Sequence, residues 1–342
     1  MQAFRITEPG KTEIVDLPRP EPAEGEVLLR VRKVGFCGSD LSTFKGLNPL
    51  VSYPRIPGHE MAATVEAVGG GVPDRIQPGA DVTVIPYTHC GTCSSCRHGR
   101  FNACRFNRTL GVQRDGAMAR YLTVPWQKVC PAPGLSLTEL ALIEPLTVGF
   151  HAADRGEVSD SDTVMVFGCG MIGLGAVARA ANRGASVIAV DIDDGKLDTA
   201  RRVGAAHGVN SKTGDLHAEI EKITDGQQPD VAIEAAGLPS TCRSAVDEVA
   251  FAGRVVCIGY TKEETAFATR LFVQKELDIR GSRNATPLDF ETVGGFLRKR
   301  TFPLSRVLTC EVALQEAGQA LADWAARPTD VTKILVDLDR LS

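Results

Sequence analysis

The 342-residue chain contains no apolar run long enough to cross a bilayer, which takes about 20 residues. Its opening stretch, MQAFRITEPGKTEIVDLPRP, lacks the apolar centre of an export leader. No membrane partner is therefore expected, and the cytoplasm is the expected compartment. A strong charge of either sign is also missing. The formal net charge of −4 is too mild to point to nucleic acid or to a membrane surface. There is no internal repeat and no low-complexity segment. The rest is ordinary for a folded protein, with 43% hydrophobic and 23% charged residues. The length exceeds what one hydrophobic core comfortably fills, so two domains are expected.

Two textures divide the chain. The first part reads as short strands: Val27 to Val34, Met61 to Val68 and Asp81 to Ile85. Gly and Pro pairs such as Pro57-Gly58 and Pro78-Gly79 punctuate them, which suggests an irregular β-barrel-like domain. From about Glu144 the pattern changes. Strands at Val164–Phe167, Ser186–Val190, Val231–Glu234, Arg254–Ile258 and Leu277–Arg280 alternate with helical stretches, the first from about Ile172 to Asn182. Such alternation predicts an α/β fold with a doubly wound parallel sheet. A last strand, Lys333–Asp337, is expected to return to the first domain. The expected division is 1–145, rejoined by 285–342, for the first domain and 146–284 for the second.

Ten cysteines stand out in a chain with no export signal. In a reducing compartment they are metal ligands or buried thiols rather than disulfides. Cys90, Cys93, Cys96 and Cys104 form C-x2-C-x2-C-x7-C. Two-residue gaps turn neighbouring thiolates onto one centre, and the longer gap brings round the fourth. Four sulfurs at about 2.3 Å fill the shell of Zn²⁺ and leave no open position, so the site reads as structural. An iron–sulfur cluster or a metal-free loop are the alternatives. His89 and His98 flank the motif as loop residues.

Gly168-Cys169-Gly170-Met171-Ile172-Gly173 fits G-x-G-x-x-G, after an apolar strand and at the start of a helix. That context makes it a dinucleotide fingerprint, with the pyrophosphate at the helix N-terminus. Asp191 ends the next strand, where a carboxylate accepts hydrogen bonds from ribose hydroxyls and repels a 2′-phosphate. NAD is therefore expected over NADP, although Lys196 lies close enough in sequence to weaken the inference. Ile258, at the end of a later strand, is counted with this site.

Three further segments offer a second metal site. Cys37 lies in a glycine-flanked turn, His59 and Glu60 follow Pro57-Gly58, and Glu144 sits in the apolar run Ala141-Leu142-Ile143-Glu144-Pro145. A catalytic zinc takes three protein ligands and keeps one exchangeable position. Cys37 and His59 are two of them. Adjacent strand residues face opposite ways, so His59 and Glu60 share a metal only if the backbone turns. One thiolate and two carboxylates also overcompensate a divalent ion. Glu60 and Glu144 are therefore expected to divide the third-ligand and water-mediated roles. Taken singly, each has a plainer reading as buried thiol, satisfied histidine or surface acid.

Together these segments resemble the zinc-containing medium-chain dehydrogenases over nearly the whole chain. The resemblance implies a GroES-like catalytic domain, a Rossmann domain, NAD, and two zinc ions per chain. Gly58-His59-Glu60 and Glu144-Pro145 resemble the polyol (sorbitol-type) branch, which implies Cys37, His59, Glu60 and Glu144 as the catalytic metal site. Ser52-Tyr53-Pro54-Arg55, Val84-Ile85-Pro86-Tyr87, Gly111-Val112-Gln113-Arg114-Asp115-Gly116 and Gly281-Ser282-Arg283-Asn284-Ala285-Thr286-Pro287 resemble sugar-acid dehydrogenases of the L-galactonate type. The family implies a homo-oligomer, dimer or tetramer. Ser39 matches its relay hydroxyl near the metal. Ser42 stands where zinc alcohol dehydrogenases often carry a relay histidine.

The expected reaction is hydride transfer from a secondary hydroxyl of a sugar acid to NAD. Arg283, with Asn284 beside it, is the candidate clamp for the substrate carboxylate; a plain ion pair is its other reading. A neutral polyol or simple secondary alcohol is the alternative substrate. A non-catalytic binding protein on the same fold is the alternative of another class.

Overall fold

Branched and apolar runs cut by glycine and proline give the chain its strands. The computed structural model describes residues 1–261 and 263–340. They fall into two units. The first comprises Met1–Glu144, Thr286–Arg300 and the stretch from Leu304 onward; the second comprises Pro145–Ala285 and Thr301–Pro303. Among the described residues no helix is long and apolar enough to cross a membrane.

The first unit opens with β1 (Gln2–Glu8), β2 (Lys11–Asp16), β3 (Glu26–Gly35), β4 (Glu60–Val68), β5 (Asp81–Val84), β6 (Tyr121–Pro125) and β7 (Val129–Pro131). The second contributes β8 (Thr163–Phe167), β9 (Ser186–Asp191), β10 (His207–Asn210), β11 (Val231–Glu234), β12 (Arg254–Cys257) and β13 (Asp278–Gly281). The chain then returns to the first unit with β14 (Leu308–Ala313) and β15 (Lys333–Asp337). Four helices matter for the site: α1 (Gly38–Phe44), α2 (Ser94–Arg97), α3 (Leu137–Arg155) and α4 (Met171–Asn182).

In the first unit the sheet order is β14-β15-β3-β4-β5-β7. The long β3 pairs β6 along Glu26–Arg30 and β15 along Lys33–Gly35. Phe4, Leu29, Phe36, Met61, Val84, Met118, Leu314 and Val336 fill its core. Register fixes the site here. Gly35, the last residue of β3, lies opposite Glu60, the first of β4. A Cβ on Gly35 would stand 2.2 Å from Glu60 Oε2, so only glycine leaves room for that carboxylate.

In the second unit six parallel strands run in the order β10-β9-β8-β11-β12-β13. The winding reverses between β8 and β11, the doubly wound topology whose crevice opens at the carboxyl ends of the strands. Met165, Phe167, Ile188, Ile220, Val246 and Val255 pack its core. The strand expected at Leu277–Arg280 starts one residue later. Leu277 N–H is taken by Phe272 O, which closes the preceding helical turn.

Helix α3 crosses α4 backbone to backbone. A Cβ on Gly149 would lie 2.2 Å from Ile172 O and 2.4 Å from Ala176 N. Backbone cannot yield as a flexible side chain does. Gly149→Ala should therefore destabilise the second unit by about 3 kcal/mol, read as a lower denaturant midpoint. An unchanged midpoint would show that the two helices do not touch there.

Candidate functional site

Cys37 caps the N-terminus of α1, held there by its N–H donating to Asp40 Oδ2 at 2.9 Å. His59 and Glu60 enter β4 after Gly58, whose φ of 101° supplies the required turn. That turn lets two consecutive residues reach one point. The ligand atoms of Cys37, His59 and Glu60 all lie within 4.8 Å of one another. His59 and Glu60 are buried at 6% and 1% exposure. Glu144, at 3% exposure on α3, stands outside that group of three but close enough to act on His59 electrostatically. Its carboxylate accepts a hydrogen bond from the Tyr87 hydroxyl.

The sequence reading missed one cation. Lys333, at 3% exposure, begins β15 and donates to Glu60 Oε2 at 2.5 Å and to Phe36 O at 3.0 Å. Burial, the largest influence, works against its charge, but Glu60, Cys37 and Glu144 together outweigh it and raise its pKa. Lys333 therefore offsets one of the two carboxylates. The thiolate and the remaining carboxylate then match the charge of a divalent ion, and the overcompensation read from sequence disappears. The signal for Lys333 was its place at the head of an apolar strand, where a lysine needs a buried partner. For Tyr87 the signal was its place in Val84-Ile85-Pro86-Tyr87, a stretch that resembles sugar-acid dehydrogenases and gives the tyrosine no role.

Electrostatics agree with an ion at this spot. Burial pushes the Glu144 carboxyl up to about 7. Burial opposes a charge on His59, yet the Cys37 thiolate, Glu144 and Asp40 together hold its pKa well above the ordinary value. Three buried polar atoms here have no hydrogen-bond partner: His59 Nδ1, Ser39 Oγ and Asp40 Oδ1. Sulfur, nitrogen and oxygen donors on one point, beside orphaned polar atoms, suit Zn²⁺ with a site left for a ligand.

The four cysteines around α2 form a different kind of centre. Their sulfurs lie within 4.8 Å of one another, with Cys93 to Cys96 at 3.5 Å and Cys93 to Cys104 at 3.8 Å. Four sulfurs bound to one zinc stand about 3.8 Å apart. Backbone N–H groups of Cys90, Thr92, Cys93 and Phe106 point at the sulfurs at 3.3–3.4 Å. Such donors favour thiolate over thiol. His98 caps α2, and His89 stacks on Phe101 with ring centroids 4.8 Å apart. Neither belongs to the cluster.

In the second unit Gly168, Cys169 and Gly170 join β8 to α4. Gly168 has φ of 87°. A Cβ on Gly173 would lie 1.7 Å from Gly168 O, whereas one on Gly170 would meet nothing within 4 Å. Glycine is thus needed for packing at Gly173, and the space around Gly170, just ahead of the N-terminus of α4, is open. Asp191 Oδ2 accepts the Cys169 N–H at 2.7 Å, and Oδ1 accepts those of Ile192 and Asp193. The acid is thereby tied to the fingerprint turn. Lys196 N–H is capped by Asp193 Oδ1, and Ile258 N–H bonds Glu234 O. Arg283 and Asn284 follow β13, Asn284 with φ of 54°. They belong to the second unit and not to the group gathered around Cys37.

Residues 23–134 match the model of the alcohol dehydrogenase GroES-like domain, and residues 172–299 match that of the zinc-binding dehydrogenase. An L-galactonate-5-dehydrogenase of Escherichia coli (strain K12) is 33% identical over 85% of each chain. A sorbitol dehydrogenase of Bacillus subtilis (strain 168) is 33% identical, covering 98% of this chain and 97% of its own. Among solved structures, the alcohol dehydrogenase RspB of E. coli CFT073, complexed with NADH, superposes with a TM-score of 0.91 at 30% identity, covering 99% of each chain.

Lys333→Met leaves a buried carboxylate unpaired. The chelator-treated variant should lose about 3–5 kcal/mol of stability, and adding Glu60→Gln should restore most of it. Denaturant titration of the single and double variants checks this. A loss below about 1 kcal/mol, the scale of an exposed pair, would show that the ion pair is not buried.

Proposed function

This chain belongs to the zinc-containing medium-chain dehydrogenase family, and from that premise we propose that it oxidises a secondary hydroxyl of a sugar acid of the L-galactonate class with NAD. The coarser statement, an NAD(P)-dependent zinc alcohol dehydrogenase, follows from the family and from the relatives. The observation that carries the dehydrogenase chemistry is the convergence of Cys37, His59 and Glu60 with Lys333 behind Glu60, and the likeness to an L-galactonate-5-dehydrogenase supports the sugar-acid substrate.

Cys37 and His59 are the constant metal ligands in this reading. Lys333 reserves Glu60, which leaves Glu144 as the exchangeable carboxylate, steadied by Tyr87. When bound, zinc supplies the Lewis acidity that makes a hydroxyl acidic near neutral pH. The Gly168–Gly173 turn would hold NAD, which would supply the hydride acceptor. The chain's own part is to hold the substrate and move its proton. Ser39 Oγ is buried with no internal partner and is free to accept the hydroxyl proton. Ser42, three residues later on the same face of α1, or a water chain would take the proton that Ser39 releases and pass it to solvent. Asp191 favours NAD because its carboxylate repels a 2′-phosphate. The cysteine cluster holds a structural zinc and takes no part in the chemistry.

A neutral polyol is the second reading, favoured by the sorbitol dehydrogenase that matches nearly the whole chain. NAD reduction measured with L-galactonate, other aldonates and sorbitol decides between them. The sugar-acid reading predicts kcat/KM at least about tenfold higher for an acid, the scale of one charged hydrogen bond. Equal values would overturn it. Cys37→Ser should fold, bind one zinc instead of two, and lose turnover. Full activity in that variant would sink the site assignment.

A further inference from the structure

Among the described residues, Arg114 and Lys128 of the first unit are half-buried cations with no acid in ion-pair contact. Arg114 lies on the loop Gly111–Gly116, and its Nε is buried without a partner. Among the described residues its guanidinium donates no hydrogen bond and forms no ion pair. Burial, then the nearby Arg108, lowers its pKa. Lys128 is likewise half-buried, and burial followed by Arg114 lowers its pKa. The acid next in sequence does not help. Asp115 is committed to Arg55 at 3.0 Å and to Ile56 N–H at 3.1 Å. Two like charges held close together, partly out of water, destabilise a fold unless an anion joins them.

The backbone that carries these cations packs on the segments that carry the metal-ligand cluster. The Arg114 loop lies directly on the turn that precedes His59. A Cβ on Gly111 would stand 2.5 Å from Gly58 N, and one on Gly116 would stand 2.3 Å from Gly58 O. Gly116 and Ala117 N–H groups bond Ile56 O and Gly58 O. Lys128 is anchored to the other wall, because its carbonyl accepts Ile85 N–H at 2.8 Å. Two residues on, Tyr87 reaches Glu144. Leu110 N–H bonds Pro86 O, and Arg108 N–H bonds Thr88 Oγ1, which ties the two walls together.

We infer that Arg114 and Lys128 form an anion-recognition site for the charged end of the substrate whose hydroxyl lies at the Cys37–His59–Glu60 cluster. This rests on the dehydrogenase reading and deepens it. The ligand chemistry is a carboxylate or a phosphate on a polyhydroxy chain. The Arg114 fork suits either, and Lys128 adds a point charge.

The test uses zinc-loaded full-length protein, wild type and with Arg114→Ala, Arg114→Lys, Lys128→Met or Arg283→Ala. Calorimetric titration without NAD, using L-galactonate, galactitol 1-phosphate and sorbitol, gives affinity; NAD reduction gives the acid-to-neutral ratio of kcat/KM. Arg114→Ala and Lys128→Met should each weaken the preferred anion about tenfold or more, and Arg114→Lys less, since it keeps the charge. The binding should also weaken as salt rises. The galactonate and phosphate arms tell carboxylate from phosphate. If Arg114→Ala and Lys128→Met bind all three probes within twofold of wild type, the site is refuted. Loss in Arg283→Ala alone refutes it too. If wild type binds an anion through Arg114 yet oxidises none of the probes, the anion site stands and the dehydrogenase reading fails.

Discussion

The ion pair between Lys333 and Glu60 is the interaction on which the chemistry proposed for the first unit rests. It lies almost wholly out of water and joins residues from the two ends of the chain. A pair of this kind contributes little net stability, since desolvation consumes most of the attraction. Its value here is charge balance. A thiolate and two carboxylates would hold a divalent ion too well for it to polarise a substrate. With Lys333 behind Glu60, one carboxylate is neutralised in place. Much of the local architecture serves that arrangement. Gly35 leaves room for the carboxylate, the β3–β4 register sets Glu60 opposite it, and β15 delivers the lysine.

The two metal-type clusters are built on opposite principles. Around α2 four sulfurs face one another and backbone N–H groups turn inward, so nothing is left for a substrate. Around Cys37 three different donors converge and neighbouring polar atoms remain unsatisfied. Closed shells brace loops, and open ones do chemistry. The glycine turn before α4 extends the same contrast to the nucleotide. Gly173 is closed by packing, while the space before Gly170 is open.

Much of this was legible in the sequence because it depends on spacing. The cysteine motif, the glycine fingerprint and the alternation of strands and helices are all local patterns, and local patterns survive without a structure. The parallel, doubly wound character of the second sheet followed from that alternation. What was not legible depends on long-range pairing. Lys333 and Glu60 are 273 positions apart, and Tyr87 and Glu144 are 57 apart. No periodicity links such residues. The excess negative charge read at this site is met in part by a cation from far along the chain, Lys333. Arg114 stood in a stretch noted only for its likeness to sugar-acid enzymes. Its isolation from any acid became visible only once Asp115 was seen turned toward Arg55.

The central claim is that one chain carries two zinc ions in unlike environments, and that the open one is where the reaction occurs. Anomalous scattering from crystals of the metal-loaded protein, collected across the zinc edge, tests it most directly. The account predicts two peaks per chain. One should be equidistant from the sulfurs of Cys90, Cys93, Cys96 and Cys104. The other should be bonded to Cys37 and His59, with Glu60 still paired to Lys333. A single peak at the four cysteines, with none at Cys37 in fully loaded protein, would contradict it.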